Sequence, residues 1–511
     1  MSTSIAPAEA RPGSPASVVA AGGKRTPVSR DELLVLAVLL GVGIVLRAIF
    51  MVSPLRFDEV YTLQSYTTLT PRLIPLTYDL PNNHVLNTLL MRASVDAFGG
   101  GRWAIRLPAL AAGIGAVPAA WWAARQIYTP EVGLWAAGLV AASSYLVDFS
   151  VNGRGYEIGV LLILLTLGLG ARMLQTSSPW PARLLIVTGA LAVWSVPTMA
   201  YGLAVVAAWM VASVALMRGG GATAWATRCA RVAGVLALTL VLSAMLLLPL
   251  SVQRGWTYVG PLPHTWDAIS GVARSSWSLW WRGAPRPLVW IIALASVASL
   301  LLHRRVARPG LRVPVGAAWI VALGGMLLSA TKLGPLARSW IAMLPLFLIA
   351  AAAGLSGVAQ LVTSRVALLQ KVPAWTYVLL LTLVLAVRVA GTNPASSEAP
   401  PQSDNHLGQW LKQNRPGEQL LAEFISFGPN ITHQLYLENY EVSVPRVTPR
   451  QLRAGRVLIV QARGLSDLAK AQVAQLGGPV TPAPVKVAKD FRYISVYEVA
   501  VKQPAAAGKG N

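Results

Sequence analysis

Apolar stretches of spanning length recur along this chain, at 33–52, 105–124, 131–149, 157–174, 184–197, 200–217, 232–251, 288–302, 313–331, 338–358 and 374–391. A bilayer core needs roughly 20 apolar helical residues to cross it, because backbone amides left unpaired in hydrocarbon are too costly for any open structure. The pattern predicts a polytopic α-helical membrane protein with about eleven transmembrane helices. Composition agrees: charged residues make up 12% of the chain, against roughly 25% in an ordinary soluble domain.

The formal charge of +23 would suit a nucleic-acid binder if it formed one patch, but Lys and Arg fall in short clusters between apolar runs. With the N-terminus inside, the inside loops hold Arg125; Arg172 and Arg183; Arg218, Arg228 and Arg231; His303, Arg304, Arg305, Arg308 and Arg312; and Arg365 and Lys371. Each is basic, as the positive-inside rule requires, so the charge sets topology and nucleic acid is excluded as a partner. The outer-face segments are then 53–104, 150–156, a break near Pro197, 252–287, 332–337 and everything after about 392. This orientation needs Asn83–Phe98 to be an amphipathic helix in the outer interface rather than a span; its apolar Val85, Leu89 and Ala93 fall at helical spacing.

Residues 1–30, rich in Ala, Pro, Ser and Gly, read as a disordered cytoplasmic tail, and 31–392 as the membrane domain. A Pro and Ser linker at 393–404 leads into a soluble α/β domain at 405–500, placed outside the membrane, and then a disordered tail at 501–511. Strands are expected at Leu420–Phe424, Arg456–Val460 and Tyr493–Val499, and helices at His406–Lys412 and Leu465–Leu476. This outer domain has no phosphate-cradling loop or metal-ligand spacing. The single cysteine, Cys229, excludes an intrachain disulfide.

Only 20 of 511 residues are acidic, so the adjacent Asp58 and Glu59, just past the first span, are site candidates. The first outer segment also carries Tyr61, Tyr66, Arg72, Tyr78, Asp79, Asn82, Asn83 and His84, and the next one adds Asn152, Arg154, Tyr156 and Glu157. Both lie at one membrane face on neighbouring helices, so they can converge on one cavity, where a desolvated carboxylate tuned by arginine is a competent general base. An acid at a helix start also serves as an N-terminal cap, and Asp58 fits that use equally well. Arg102, Arg106, Arg154, Arg254, Arg274, Arg282, Arg286, Lys332 and Arg338 run against the positive-inside trend. As a group they suit a lipid phosphate; singly, they suit headgroup contact. Trp277, Trp280 and Trp281 read as an interface belt.

The ordered series of Phe-Asp-Glu and a following Tyr after span one, the His-led helix NNHVLNTLLMRASVDAFGG, Arg-Leu-Pro-Ala-Leu opening span two, and Asn-Gly-Arg-Gly-Tyr after span three resembles the GT-C superfamily of polyprenyl-phosphate-sugar-dependent glycosyltransferases. The branch it resembles contains the protein O-mannosyltransferases and the lipid A aminoarabinose transferase (glycosyltransferase family 39-like). The resemblance covers 33 to about 175, with Ala-Arg-Ser-Trp-Ile-Ala-Met-Leu-Pro at 337–345 similar to a late Arg-aromatic-Pro span.

What the resemblance implies is inverting transfer of a sugar from polyprenyl phosphate to an envelope lipid, glycan or protein acceptor at the outer face of the plasma (inner) membrane. Asp58 would be the general base and Glu59 its helper in positioning the acceptor or a metal. Arg106, Arg154, Arg338, His84, Tyr156 and Tyr61 would bind the donor phosphate or substrate. Two departures stand out: Val85 and Leu86 follow His84 where many relatives have Pro-Pro, and Asn152 replaces an acid before Arg154. The missing acid weakens a metal site built from both loops, so no cofactor is assigned and a divalent cation is left open. A transporter or flippase of lipid-linked glycans, or a non-catalytic envelope assembly protein, are the alternatives; the transporter predicts intramembrane charges and inverted repeats, and the hydropathy pattern shows no convincing repeat.

Overall fold

In a computed structural model of the chain, the described residues are 27–53, 55–78, 82–217, 221–254, 265–333 and 337–392, with 410, 413–414, 419–421, 446–447, 455–462, 481–482, 486–490 and 494–502 beyond them. Helix α1 (Arg30–Phe50) is followed by two helices in the first loop, α2 (Phe57–Ser65) and α3 (Val85–Phe98). Then come α4 (Arg102–Ile127), α5 (Pro130–Ala141), α6 (Ser144–Ser150), α7 (Tyr156–Gln175), α8 (Trp180–Ser195), α9 (Ala200–Leu216) and α10 (Gly221–Arg254). The helical part ends with α11 (Trp266–Trp280), α12 (Arg286–Val306), α13 (Val315–Leu333), α14 (Leu344–Thr363), α15 (Ala367–Gln370) and α16 (Ala374–Thr392).

Each of the eleven predicted stretches lies on a helix. Among the described residues, eight helical segments are long and apolar enough to cross a membrane: Arg30–Phe50, Arg102–Ile127, Tyr156–Gln175, Pro197–Leu216, Gly221–Gln253, Arg286–Val306, Arg338–Thr363 and Ala374–Thr392. The third stretch is not one rod: α5 and α6 meet at a 62° bend and make a ninth span if taken together. Helix α8 and the Val315–Gly324 part of α13 are apolar but shorter.

Small residues let the helices approach closely, as expected where lipid removes the hydrophobic drive and contact quality decides packing. A Cβ at Gly354 of α14 would fall 1.7 Å from the carbonyl oxygen of Ala295 on α12, and one at Gly138 of α5 would fall 2.3 Å from Oγ1 of Thr382 on α16. At the end remote from the first loop, Ser29 caps α1 by accepting the Glu32 amide at 3.0 Å. The Glu32 carboxylate in turn takes Arg125 Nε at 2.7 Å and Trp121 Nε1 at 2.8 Å, fastening α1 to α4. Arg308 donates to the Arg125 carbonyl at 2.7 Å, and Tyr128 bridges to Ala307, so the loops after α4 and α12 are joined there.

Helix α3 forms where expected, but the face it turns inward is not the stripe of Val85, Leu89 and Ala93. Val85, Asn87, Thr88, Met91 and Ser94 are buried, whereas Ala93 is exposed. The reason is polar: Asn87 donates to the Gly153 carbonyl at 2.9 Å and Ser94 to the Ala104 carbonyl at 2.7 Å, which draws a partly hydrophilic face onto the protein.

Beyond the helices the chain forms a six-stranded sheet of β1 (Gln419–Leu421), β2 (Arg446–Val447), β3 (Gly455–Ala462), β4 (Thr481–Pro482), β5 (Lys486–Asp490) and β6 (Ile494–Lys502). The order is β2-β1-β3-β6-β4, with β5 also on β6. β1 runs parallel to β2 and β3, while β3 and β6 are antiparallel from Gly455↔Val501 to Ala462↔Ile494. The strands expected at Arg456–Val460 and Tyr493–Val499 are β3 and β6, and the one at Leu420–Phe424 overlaps β1. The helix expected at Leu465–Leu476, most of that at His406–Lys412, the linker and both tails lie outside the described residues.

Candidate active site

Arg56, Phe57, Asp58 and Glu59 form the first turn of α2, and the two acids divide its work. Glu59, in the third helical position, reaches back to accept the Arg56 amide at 2.7 Å, the reciprocal half of a capping box. The capping use considered for Asp58 therefore belongs to Glu59. The same carboxylate accepts Arg106 Nε at 2.7 Å on Oε1 and Arg106 Nη2 at 2.8 Å on Oε2. It also takes the Gly153 amide at 2.7 Å. Four donors saturate a buried carboxylate. Burial alone would raise its pKa, but the Arg106 ion pair, with Arg56 and the Gly153 amide, overrides that and holds Glu59 below the usual carboxylate value.

The structure places Arg106 inside this cluster. Its side chain is fully buried, and besides Glu59 it donates to the carbonyls of Met51 at 2.9 Å and Ser53 at 2.8 Å. Arg106 thus clasps α4, the end of α1 and α2 together. Glu59 is likewise a positioning group, with no oxygen left for an acceptor.

Asp58, one residue earlier, points elsewhere. Its Oδ2 accepts Arg154 Nη1 and, at 3.2 Å, Arg338 Nη1. Among the described residues Oδ1 carries no hydrogen bond, and the side chain is 22% exposed. The Asp58 carbonyl is held by Asn82 Nδ2 at 2.8 Å, which fixes the turn behind the carboxylate. The structure therefore gathers Asp58, Arg154 and Arg338, from three distant segments, around one carboxylate oxygen.

His84 and Tyr156 complete the cluster. The His84 Nδ1 accepts the Gly155 amide at 3.1 Å, so the neutral ring carries its proton on Nε2, which lies 3.2 Å from Arg154 Nη2. Burial, then Arg154 and Arg338, hold the imidazole well below its ordinary pKa, so it stays neutral. Two donors, Nε2–H and Nη2–H, therefore face each other. Tyr156 packs edge-on against His84 with ring centres 5.0 Å apart and lies under the Arg154 guanidinium at 5.3 Å. It is buried and packs on both His84 and Arg154. Tyr61, one turn beyond Asp58 on α2, is half-buried and packs edge-on against Tyr66 at 5.7 Å. Gly155 leaves room for this packing, since a Cβ there would fall 2.5 Å from the Ser195 carbonyl oxygen.

The donor set does not fit the divalent cation that the resemblance left open. Glu59 is saturated, Asp58 is flanked by two arginines, and among the described residues no three His, Cys, Asp or Glu side chains stand together. Asn152, at the place of the missing acid, is buried with neither amide atom hydrogen-bonded among the described residues.

Sequence reasoning passed over a second ion pair. Arg56 bonds Asp148 of α6, both buried, which anchors the start of α2 to the bent third span. Beneath it, Arg47 of α1 donates to Ser150 Oγ at 2.9 Å. The available signal was the presence of Arg47 and Asp148 inside apolar stretches, where a charge needs a partner.

No family model matches the sequence, and no curated protein does so. Solved structures do. ArnT from Cupriavidus metallidurans in the apo state has 12% identity and a TM-score of 0.57, over 91% of this chain and 97% of that one. The same protein bound to undecaprenyl phosphate gives a TM-score of 0.55 at 12% identity, with the same coverage. The arabinofuranosyltransferase AftD from Mycobacteria gives a TM-score of 0.52 at 15% identity, over 93% of this chain and 40% of that one. At 12–15% identity these likenesses are of fold: this chain has the fold seen in the GT-C membrane glycosyltransferases.

Proposed function

We propose that the protein is an integral-membrane glycosyltransferase that moves a sugar from a polyprenyl-phosphate donor to an envelope lipid, glycan or protein acceptor, with inversion and with Asp58 as general base. The observation that carries this reading is the asymmetry of Asp58, with Oδ2 held by Arg154 and Arg338 and Oδ1, on a partly exposed side chain, without a hydrogen bond among the described residues. A base needs one atom free for the incoming proton and an environment that fixes its aim. The facing donors of His84 Nε2 and Arg154 Nη2 would both be satisfied by one oxygen acceptor between them, which a phosphodiester supplies. The fold neighbours support a donor of this class, since ArnT binds undecaprenyl phosphate.

In the proposed reaction the acceptor attacks the anomeric carbon and Asp58 Oδ1 takes its proton. The bond from that carbon to the phosphate oxygen breaks, and its electron pair stays on the phosphate. Arg154, Arg338 and His84 stabilise that growing charge without moving far. In this reading residues 31–392 form the catalytic domain, with the N-terminus cytoplasmic and the site, together with the 405–500 domain, on the outer face of the plasma (inner) membrane. The test is transfer of radiolabelled sugar from a polyprenyl-phosphate donor by purified protein in lipid nanodiscs. Wild-type turnover by Asp58→Asn would remove Asp58 as base, and lipid flipping without a glycosidic product would replace the whole reading with transport.

A further inference from the structure

In the described structure one oxygen of Asp58 holds both Arg154 and Arg338, the two cations that a phosphate at this site would also need. Two neighbouring acids are matched. Glu59 is paired with Arg106 and Asp148 with Arg56, all four buried, and His84 is neutral. At Asp58 itself, among the described residues, one carboxylate faces two guanidiniums.

A phosphodiester donor, with one negative charge, makes this local sum zero. During transfer the leaving lipid phosphate becomes a monoester and moves toward a second charge. The acceptor's proton arrives on Asp58 in the same step and cancels the carboxylate. The sum is therefore zero on both sides of the reaction, but the anion that the arginines serve has changed.

We propose that protonation of Asp58 hands Arg154 and Arg338 over from the carboxylate to the leaving phosphate, so that base and leaving group share one pair of cations. The two arginines differ in freedom. Arg154 is 2% exposed and seated on Tyr156, whereas Arg338 is 31% exposed on the short 3₁₀ segment Ala337–Met343. Arg338 is the arm that travels, and Arg154 turns in place. Ionised Asp58 competes with product for these arginines, and re-ionisation of Asp58 drives product release.

This inference rests on the proposed reaction, yet it has its own test in binding rather than turnover. Asn at 58 mimics the protonated carboxyl. The affinity of the full-length protein in nanodiscs for undecaprenyl phosphate is measured for wild type, Asp58→Asn, Arg338→Gln and the double variant, with thermal unfolding as the check on folding. Asp58→Asn is expected to bind this product-like lipid at least tenfold tighter than wild type, and Arg338→Gln in the same chain is expected to remove most of that gain. Equal or weaker binding by a folded Asp58→Asn overturns the hand-over, as does a gain that survives Arg338→Gln. If Asp58→Asn loses transfer without gaining affinity, the base assignment stands and only the hand-over fails. If it keeps wild-type transfer, the base assignment fails first.

Discussion

Glu59 and Arg106 meet side-on, two parallel N–H···O contacts of 2.7 and 2.8 Å between fully buried partners. The same carboxylate holds the Arg56 and Gly153 amides, so removing it strands an arginine and two amides away from water. Breaking one side of a buried pair costs about 3–5 kcal/mol. Glu59→Ala and Arg106→Ala are expected to lower the midpoint of thermal unfolding sharply in detergent and to abolish transfer. Because each already breaks the same unit, the double variant should be little worse than either single one. Additive losses in this cycle would mean that the clasp is not a unit.

Asp58→Asn keeps shape and hydrogen-bonding capacity but removes the base. General base catalysis is worth roughly 10²–10⁴-fold. We expect kcat to fall by that factor while the unfolding midpoint stays within a few degrees of wild type. A large loss of stability would assign Asp58 a structural role instead.

The pH dependence of stability has two separate windows. His84 has a folded pKa well below the ordinary value near 6.5, so the unfolded chain binds a proton there before the folded one does. Stability from His84 is full above about 6.5 and is lost as pH falls toward the folded value. Glu59, lowered from the carboxylate value, contributes above about 4.3 and loses that contribution as pH falls further through its folded pKa. Unfolding midpoints between pH 8 and pH 5 should therefore slope less in His84→Asn than in wild type, and Glu59→Gln should leave that upper window unchanged. Parallel slopes for wild type and His84→Asn would sink the assignment.

Gly155 and Gly41 give a paired test of packing. An added methyl at Gly155 meets the Ser195 carbonyl at 2.5 Å and His84 Cβ at 3.1 Å, whereas one at Gly41 meets nothing within 4 Å. Overpacking of this kind costs about 1–3 kcal/mol. Gly155→Ala should lower stability and slow transfer by tenfold or more through the displaced His84 and Arg154, and Gly41→Ala should keep activity. Similar effects from both would separate the activity loss from this contact.

The spans were legible because hydrocarbon imposes a length and a composition on each one, and all eleven stretches lie on helices. The 62° bend between α5 and α6 was read through as one span, because Ser143 and Ser144, which sit at the break and start α6, are only two polar residues in an apolar stretch. Asp58, Arg154, Arg338 and His84, which the structure brings together, were singled out because rare polar groups at one membrane face stand out. Their division from Glu59 and Arg106 was invisible, because whether a charged group has an open atom or a saturated one depends on contacts 47 and 94 positions away. Asp148 and Arg47 were missed because the hydropathy of their stretches outweighed one charge each.

The second loop is fastened to the first through a main-chain amide, that of Gly153, and through a main-chain carbonyl of the same residue held by Asn87. Attachment of that kind is blind to side-chain identity at the neighbouring positions. A change of side chain at 152 therefore leaves both ties, and the frame that orients Asp58, intact.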